Sequence, residues 1–274
     1  MIRLDKYLAD SGFGTRNEVR SLVRSGSVFV NEEIVKDFGL KINPDVDQVS
    51  VKGSSVEYNE YEYYMLHKPA GIITASRDKK AKTVVDLIET RKRRDLFPIG
   101  RLDKDTEGLL IITNDGALSH RLLSPNSHVQ KTYVAFVSGE LPADVETHFK
   151  NGIDIGDEKL TLPAGLREIE SLEELINEYE DRYVEESLVE HLESLVDDSA
   201  ETSIEDSIKE YRIYEVTLTE GRYHEIKRMF EALGGTVEYL KRYSMGPITL
   251  DPELAPGEYR ELDEEEMKNL LTSK

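Results

Sequence analysis

The stretch from Gly100 to Gly116 constrains the fold of this chain more than any other. Its centre, Leu109–Ile112, is a run of four aliphatic residues, which is long enough for a strand buried on both faces. The run is followed by Asn114-Asp115-Gly116, residues typical of a turn. A carboxylate, Asp103, stands in the polar loop before the strand, where a rigid scaffold can hold an exposed side chain.

The charge of the chain is unevenly distributed. The net charge is -20, but residues 168–210 alone hold 17 acidic and 2 basic residues, so the remainder is close to neutral. Residues 166–220 contain neither Gly nor Pro, and their apolar residues follow helical spacing. We therefore predict an acidic helical insertion at about 168–210. We interpret it as a solubilising decoration, with a protein-docking role as the second interpretation.

The composition also restricts the location of the protein and the kinds of site it can hold. The chain has no cysteine, which excludes disulfides and thiolate metal sites and fits a reducing cytoplasm. No run of 18 apolar residues is present, so we expect no membrane span. We expect a cytoplasmic monomer that needs no cofactor and no metal.

The first 58 residues predict a small separate domain. Residues 3–10 have helical spacing, and Thr15 with Glu18 forms a capping-box pattern for a second helix. Residues 28–35 predict a hairpin, and residues 46–51 predict a further strand.

The second helix carries a row of arginines. Arg16, Arg20 and Arg24 recur every four residues, so they share one face, which in most proteins is simply solvated. The order helix, helix, hairpin resembles the S4 RNA-binding domain. That resemblance implies phosphate contacts from these three arginines and from Asn31 in the hairpin loop, and guanidinium groups suit phosphates well.

The central stretch resembles an enzyme signature. Gly-Arg-Leu-Asp, followed by Thr-Glu-Gly-Leu-Leu-Ile-Ile-Thr-Asn-Asp-Gly, is similar to the motif of the pseudouridine synthases that modify ribosomal RNA. The resemblance implies that Asp103 is the catalytic nucleophile. It also implies an α+β fold, with an S4-like domain at 1–58 and a mixed-sheet catalytic domain at 59–274.

Two further segments carry the resemblance. In Lys131-Thr132-Tyr133, the family has a tyrosine that stacks on the target base, which implies this role for Tyr133. The block 220–230 is similar to the second signature of the family, whose basic residue pairs with the catalytic Asp. Lys227 matches that position, and Arg228 is the second choice. Glu225 departs from the family, in which Gln is common.

Other basic residues are candidates for contacts with RNA. Arg101 precedes the nucleophile, and Arg228 is also a candidate. Lys79, Lys80 and Lys82 form one dense basic region and residues 91–94 form another, and we expect phosphate contact from at least one of the two.

The sequence Gly-Arg-Tyr-His in the second signature, in a chain that begins with an S4-like domain, most resembles the branch that acts on one uridine of 16S rRNA. We therefore expect 16S rRNA, or a small-subunit assembly particle, as the partner. One alternative is a synthase acting on 23S rRNA, and another is an RNA-binding assembly factor that uses the S4 domain alone. A third is a hydrolase whose Mg²⁺ is held by the alternating carboxylates Asp103, Asp105 and Glu107.

Overall fold

The computed structural model describes most of the chain, namely residues 1–89, 95–124, 127–195 and 211–272. The chain forms two compact units. The first comprises Met1–Tyr63 with Ile88–Phe97 and Thr113–Asp115, and the second comprises Tyr64–Leu87, Pro98–Ile112 and Gly116–Lys274. The basic run at 91–94 lies outside the described residues. No helix in the described ranges is long and apolar enough to cross a membrane.

The first unit contains two helices and short strands. In chain order they are β1 (Ile2–Arg3), α1 (Leu4–Asp10), α2 (Arg16–Arg24), β2 (Val28–Val30), β3 (Glu33–Ile34), β4 (Lys41–Ile42), β5 (Val49–Val51) and β6 (Ser54–Ser55). Strand β1 pairs with β4, and the other four form a sheet in the order β3-β2-β5-β6. The helices and this sheet enclose a core that includes Leu4, Leu8, Val19 and Val23.

The local predictions for this unit are confirmed with one correction. The capping box of α2 is present, with Glu18 accepting from the Thr15 backbone and Thr15 accepting from the Glu18 backbone. The hairpin β2–β3 is present as well. The strand expected over residues 46–51 begins only at Val49. The residues before it form a turn, in which Asp47 accepts a hydrogen bond of 2.7 Å from the backbone of Asn43.

The second unit is built on a large sheet. Its elements are β7 (Tyr63–Lys68), a 3-10 helix (Val84–Leu87), β8 (Phe97–Pro98), β9 (Glu107–Thr113), α3 (Gly116–Leu123), β10 (Lys131–Gly139), α4 (Val145–Asn151), β11 (Gly165–Ile169), α5 (Leu172–Tyr179), α6 (Val184–Leu195), β12 (Arg212–Leu218), α7 (Glu225–Glu231), β13 (Gly235–Met245), β14 (Ile248–Thr249), β15 (Tyr259–Glu261) and α8 (Glu264–Thr272).

The expected mixed sheet is confirmed. The strand order is β11-β12-β10-β13-β9-β7-β15, with β14 beside β13 and β8 beside β9. Strand β13 pairs in parallel with β9, whereas β10 pairs antiparallel with both β12 and β13. The aliphatic run Leu109–Ile112 lies in β9 and is fully buried, as its sequence predicts.

The two faces of this sheet carry different sets of side chains. The front face carries Tyr133 and Tyr214, and α7 packs on it through Phe230, whose ring lies 5.5 Å from that of Tyr214. The rear face carries Val134 and Phe136 from β10, together with Tyr239 and Tyr243 from β13. Strand alternation separates these two sets, because successive side chains of a strand point to opposite faces.

The acidic segment (residues 168–210) covers the rear face with its described part, residues 168–195. Leu175 of α5 and both Val184 and Leu188 of α6 are fully buried against the rear-face residues of β10 and β13. The apolar stripe of the segment is therefore part of the core, and its carboxylates face mainly outward. The interpretation as a solubilising decoration accounts for the outward carboxylates of the described residues but not for the buried apolar stripe. Residues 196–210 lie outside the described ranges.

Candidate active site

The loop that carries Asp103 is held in place by hydrogen bonds from the buried side chain of Lys68. This lysine is fully buried, and its Nζ donates hydrogen bonds to the carbonyls of Pro69, Lys104 and Thr106 at 3.0, 3.1 and 2.8 Å. Burial lowers the pKa of Lys68 to about 8. Two of the three acceptors follow Asp103 closely in sequence, so the buried ammonium determines the path of the loop. The sequence analysis did not identify Lys68 as a site residue.

Two neighbours complete the support of this loop. The Thr74 hydroxyl donates to the carbonyl of Leu102 at 2.7 Å, and the backbone N–H of Gly71 donates to the carbonyl of Lys104 at 2.8 Å. Asp103 keeps 28 % of its side chain exposed on this supported loop. The carboxylate is therefore both accessible and held in place.

Asp103 opens into a pocket on the front face of the sheet. The pocket also contains Tyr133, Lys227 and Arg101, so four of the residues singled out from the sequence meet there. Its apolar wall is formed by Leu102, Leu218, Ile226 and Leu240. The pocket thus combines an apolar wall with charged and hydrogen-bonding side chains, and such polar groups fix the orientation of a bound molecule.

Arg242 is buried against Tyr133, one of the residues that line the pocket. It is 1 % exposed, and its Nε donates to the carbonyl of Leu109 at 2.8 Å. The guanidinium lies 5.9 Å from the centre of the Tyr133 ring, and its Nη1 is 3.5 Å from the Tyr133 hydroxyl. Sequence reasoning missed this residue, although an arginine within an otherwise buried strand is a signal in itself, because lone charges are rarely buried.

The approach of β9 to β13 is unusually close at Arg242. Gly108 has φ +100°, and a Cβ at this position would lie 2.2 Å from the carbonyl oxygen of Arg242. Only glycine fits there, which explains the Gly in the Thr-Glu-Gly-Leu segment.

Lys227 differs from its expected pairing. Its Nζ lies 2.7 and 2.6 Å from the two carboxylate oxygens of Asp105, and its described ion pair is with Asp105 rather than Asp103. Burial would raise the pKa of Asp105, but the hydrogen bonds and the charge of Lys227 lower it. The expected Lys227–Asp103 pair is therefore wrong in this structure, because the turn after Asp103 presents Asp105 to the first turn of α7.

Arg228, the second choice for that pairing, does not contact Asp103 either. It pairs with Asp157 at 2.6 Å and donates to the carbonyls of Ile155 and Tyr223. Arg222 reaches the same carboxylate. These two arginines fix the loop beside the pocket.

The imidazole ring of His224 lies beside the Asp103 carboxylate. Its Nε2 lies 3.5 Å from Asp103 Oδ1. His224 has φ +50°, a conformation that non-glycine residues rarely adopt and that often marks a functional site. Its ring stacks on that of Tyr223 at 3.8 Å, and Tyr223 is 75 % exposed. The pair forms an exposed aromatic surface next to Asp103, which the sequence analysis did not identify.

Glu225 stands in the pocket wall, where the family resemblance led us to expect Gln. It accepts a hydrogen bond of 2.8 Å from the backbone of Arg222. Burial and a hydrogen bond shared with Glu220 raise the pKa of Glu225 to about 7. A protonated carboxyl resembles a carboxamide in shape and in donor capacity, so Glu225 fits the place of a Gln near neutral pH.

The arginine row in the first unit is only partly free of contacts within that unit. Arg20 pairs with Asp5 at 3.2 Å, and the guanidinium groups of Arg20 and Arg24 lie 5.1 and 4.9 Å from the centre of the Phe38 ring. Arg16 is exposed in a groove of the same unit.

Asn31 is held by its own neighbours at the hairpin turn. It donates to Asp47 at 2.8 Å and accepts from the backbone of Gln48 at 2.9 Å. These contacts fix the hairpin loop, and the side chain remains exposed.

The three alternating carboxylates do not converge. Asp105 is bound to Lys227, and Glu107 accepts a hydrogen bond of 2.8 Å from Tyr239. Across the part of the chain that the structure describes, no cluster of three or more metal-ligating side chains is found. The donors that the Mg²⁺ hydrolase alternative needs are therefore engaged elsewhere.

Comparison with known proteins decides the family. The model for RNA pseudouridylate synthases matches residues 62–232, and the S4 domain model matches residues 2–46. The chain belongs to the RNA pseudouridine synthase family. It is thus an enzyme of this class, with an S4 domain before the catalytic domain, as the resemblance in its sequence implies.

Relatives with several printed functions align over nearly the whole chain. An uncharacterised RNA pseudouridine synthase of Bacillus subtilis is 41 % identical over 97 % of this chain and 97 % of its own length. A ribosomal small subunit pseudouridine synthase A of Vibrio cholerae is 35 % identical over 98 % of this chain and 99 % of its own. A ribosomal large subunit pseudouridine synthase B of Bacillus subtilis is also 35 % identical, over 98 % and 96 %.

A solved structure supports the fold. The crystal structure of a pseudouridylate synthase aligns over 98 % of this chain and 100 % of its own, with a TM-score of 0.59 and 30 % sequence identity.

Proposed function

We propose that this pseudouridine synthase converts one uridine of 16S ribosomal RNA to pseudouridine, with Asp103 as the catalytic nucleophile. The observation that carries the proposal is that Asp103 and Tyr133 line the same pocket, so an accessible carboxylate and an aromatic side chain share one site. A flipped uridine needs this combination of a reactive group and a stacking surface.

The reaction is an isomerisation and balances without a cofactor. The bond between N1 of the base and C1′ of the ribose breaks, the base rotates, and C5 bonds to C1′ while its proton is lost and N1 gains one. Asp103 supplies the carboxylate, which can attack the ribose, attack the base or act as a base at the ribose, and Lys68 supports its loop. Tyr133 stacks on the base, and Arg242 holds the Tyr133 ring from below.

Lys227 contributes charge to this site through Asp105. Their ion pair places the Lys227 ammonium at the pocket rim. The catalytic role proposed for Lys227 requires this ammonium to move from Asp105 to Asp103 when RNA binds.

Contacts with RNA are assigned mainly to the S4 domain. Arg16 and Arg24 are exposed, and Arg20 joins them on the same helix. Asn31 lies at the hairpin turn. In the catalytic domain, Arg101 at the pocket and Arg228 beside it are the proposed phosphate contacts. Phosphate contacts position RNA and supply most of the affinity.

The choice of 16S rRNA depends on few residues. The small-subunit relative and the large-subunit relative are equally identical to this chain at 35 %. Tyr223 and His224 favour 16S rRNA as the substrate. The branches that act on 23S rRNA more often have Asn-Arg at the two corresponding positions. The alternative is a synthase that acts on 23S rRNA.

One experiment separates these targets. Pseudouridine is mapped in 16S and 23S rRNA from cells with and without the gene, and then from cells that carry the Asp103→Asn variant. We expect one position of 16S rRNA to lose its pseudouridine in both altered strains. Loss at a 23S position instead would overturn the choice of substrate. A normal map with Asp103→Asn would overturn Asp103 as the catalytic nucleophile.

A further inference from the structure

Asp181 is a buried carboxylate of the acidic segment that the proposed chemistry does not use. Its Oδ2 accepts hydrogen bonds from Lys241 Nζ at 2.5 Å and from the Tyr243 hydroxyl at 2.6 Å. Its Oδ1 accepts from the backbone of Tyr183 at 3.0 Å. The side chains of Asp181 and Lys241 are 5 % and 0 % exposed.

The charges of Asp181 and Lys241 compensate each other inside the protein. Burial would raise the pKa of Asp181, but the charge and hydrogen bond of Lys241 and the hydrogen bond of Tyr243 lower it, so the carboxylate is ionised. Removing one partner of a buried ion pair leaves the other charge uncompensated, which destabilises a fold strongly. The ion pair therefore ties the acidic segment to β13.

The two partners of Asp181 flank Arg242 in sequence. Lys241 and Tyr243 point to the rear of the sheet, and Arg242 between them points to the front, where it contacts Tyr133. Three consecutive residues of β13 thus connect the acidic segment behind the sheet with Tyr133, which lines the pocket in front.

The pairing of β13 with β10 is irregular at this point. Tyr133 is paired with Arg242, whereas its neighbour Thr132 is paired with Ser244, so Tyr243 is an extra residue. Such bulges redirect side chains and occur often beside active sites. Asp181 binds the side chain of the bulged residue itself and the side chain two positions before it.

We propose that Asp181 is a positioning residue: by holding Lys241 and Tyr243 from the acidic segment, it fixes the bulge that aims Arg242 at Tyr133. The chemical consequence rests on the proposed function, in which Tyr133 stacks on the uridine. The positional consequence does not, since the place of Arg242 can be observed without RNA. The acidic segment then belongs to the framework of the active site, although none of its described residues lines the pocket.

The test compares three variants with the parent: Asp181→Leu, the double variant Asp181→Leu/Lys241→Met, and Tyr243→Phe. Steady-state kinetics use the rRNA that the parent modifies, well below each melting temperature. We expect kcat to fall about tenfold to a hundredfold in Asp181→Leu, because a small misplacement of a reacting framework has effects of this size, while KM changes little. Glu185→Gln, an exposed acid of the same segment, is the matched control and should match the parent.

The double variant distinguishes positioning from stability. Replacing both buried charges by apolar residues should restore the melting temperature, but Tyr243 still lacks its acceptor, so kcat should stay low. Tyr243→Phe should lower kcat with little change in melting temperature. Recovery of kcat together with stability, or a parental kcat in Tyr243→Phe, would overturn the proposal.

A measurement without substrate keeps the inference separate from the proposed function. The Nε–H of Arg242, assigned by loss of its NMR signal in Arg242→Lys, donates to Leu109 in the parent. We expect its chemical shift to change and its exchange with water to quicken in Asp181→Leu and in the double variant. An unchanged signal refutes the positioning role, even if the parent modified no rRNA, a result that would refute only the proposed function.

Discussion

The substitution Glu225→Gln tests the unusual carboxyl of the pocket wall. Glu225 is 5 % exposed, accepts a backbone hydrogen bond from Arg222 and shares a hydrogen bond with Glu220. Two carboxyl groups can share a hydrogen bond only if one carries a proton. Gln has nearly the same shape and can make both contacts at any pH. The variant should therefore fold like the parent but without one contribution to its pH dependence.

The sign and the size of the effect follow from the pKa. The folded state raises the pKa of Glu225 from 4.5 to about 7, so the folded chain holds a proton that the unfolded chain has released. This contribution to stability is present in full below the unfolded value and is lost as the pH rises through about 7. Between about pH 5 and about pH 8 the parent should lose about 2.5 kcal/mol of unfolding free energy through this group.

The pH window isolates Glu225 from its neighbour. Burial would raise the pKa of Glu220, but hydrogen bonds from Leu162 and Arg222 lower it, so this carboxyl titrates below the window. Urea unfolding followed by circular dichroism measures the difference between variant and parent at both ends of the range. Glu231→Gln, an exposed acid on the same helix, is the control. If Glu225→Gln gains no stability over the parent between the two pH values, Glu225 is ionised throughout and the reasoning fails.

Three further predictions concern the supports of the site and the S4 domain. Gly108→Ala should destabilise the chain by about 3 kcal/mol or more, measured by urea unfolding, because its Cβ would meet the backbone of Arg242 at 2.2 Å; parental stability would contradict the close approach. Lys68→Met should lower kcat about a hundredfold with RNA affinity nearly unchanged, because the Asp103 loop is no longer anchored; unchanged kcat would show that the loop needs no anchor. Arg16→Ala and Arg24→Ala should each reduce the salt slope of RNA binding by about 0.7 to 0.9 for every phosphate that the variant no longer binds, and an unchanged slope would mean that these arginines only face water.

Local sequence signals predicted the elements near the site. The capping box of Thr15 and Glu18 and the buried strand at Leu109–Ile112 are set by neighbouring residues, and both are confirmed. The mixed sheet and the S4 domain followed from resemblance. Asp103 and Tyr133 do meet in one pocket, although one lies in a loop and the other in a strand.

Long-range partners could not be predicted in the same way. Lys227 has Asp103 and Asp105 at almost the same sequence distance, and the course of the turn decides for Asp105. The partner of Lys241 is Asp181, 60 residues away in a segment rich in similar carboxylates. Composition suggested that such a segment faces water. Its role becomes visible only when the packing shows which carboxylate is buried.

The central claim is tested most directly by Asp103→Asn. The side chain is half-buried and nearly isosteric with its replacement, so the fold should persist. Bonding of C5 to C1′ releases the hydrogen at C5, so tritium release from rRNA labelled at C5 of uridine reports turnover. We expect release at background level from the variant, with RNA affinity within about twofold of the parent, because phosphate contacts elsewhere carry binding. Turnover near the parental rate would contradict the assignment of Asp103 as nucleophile.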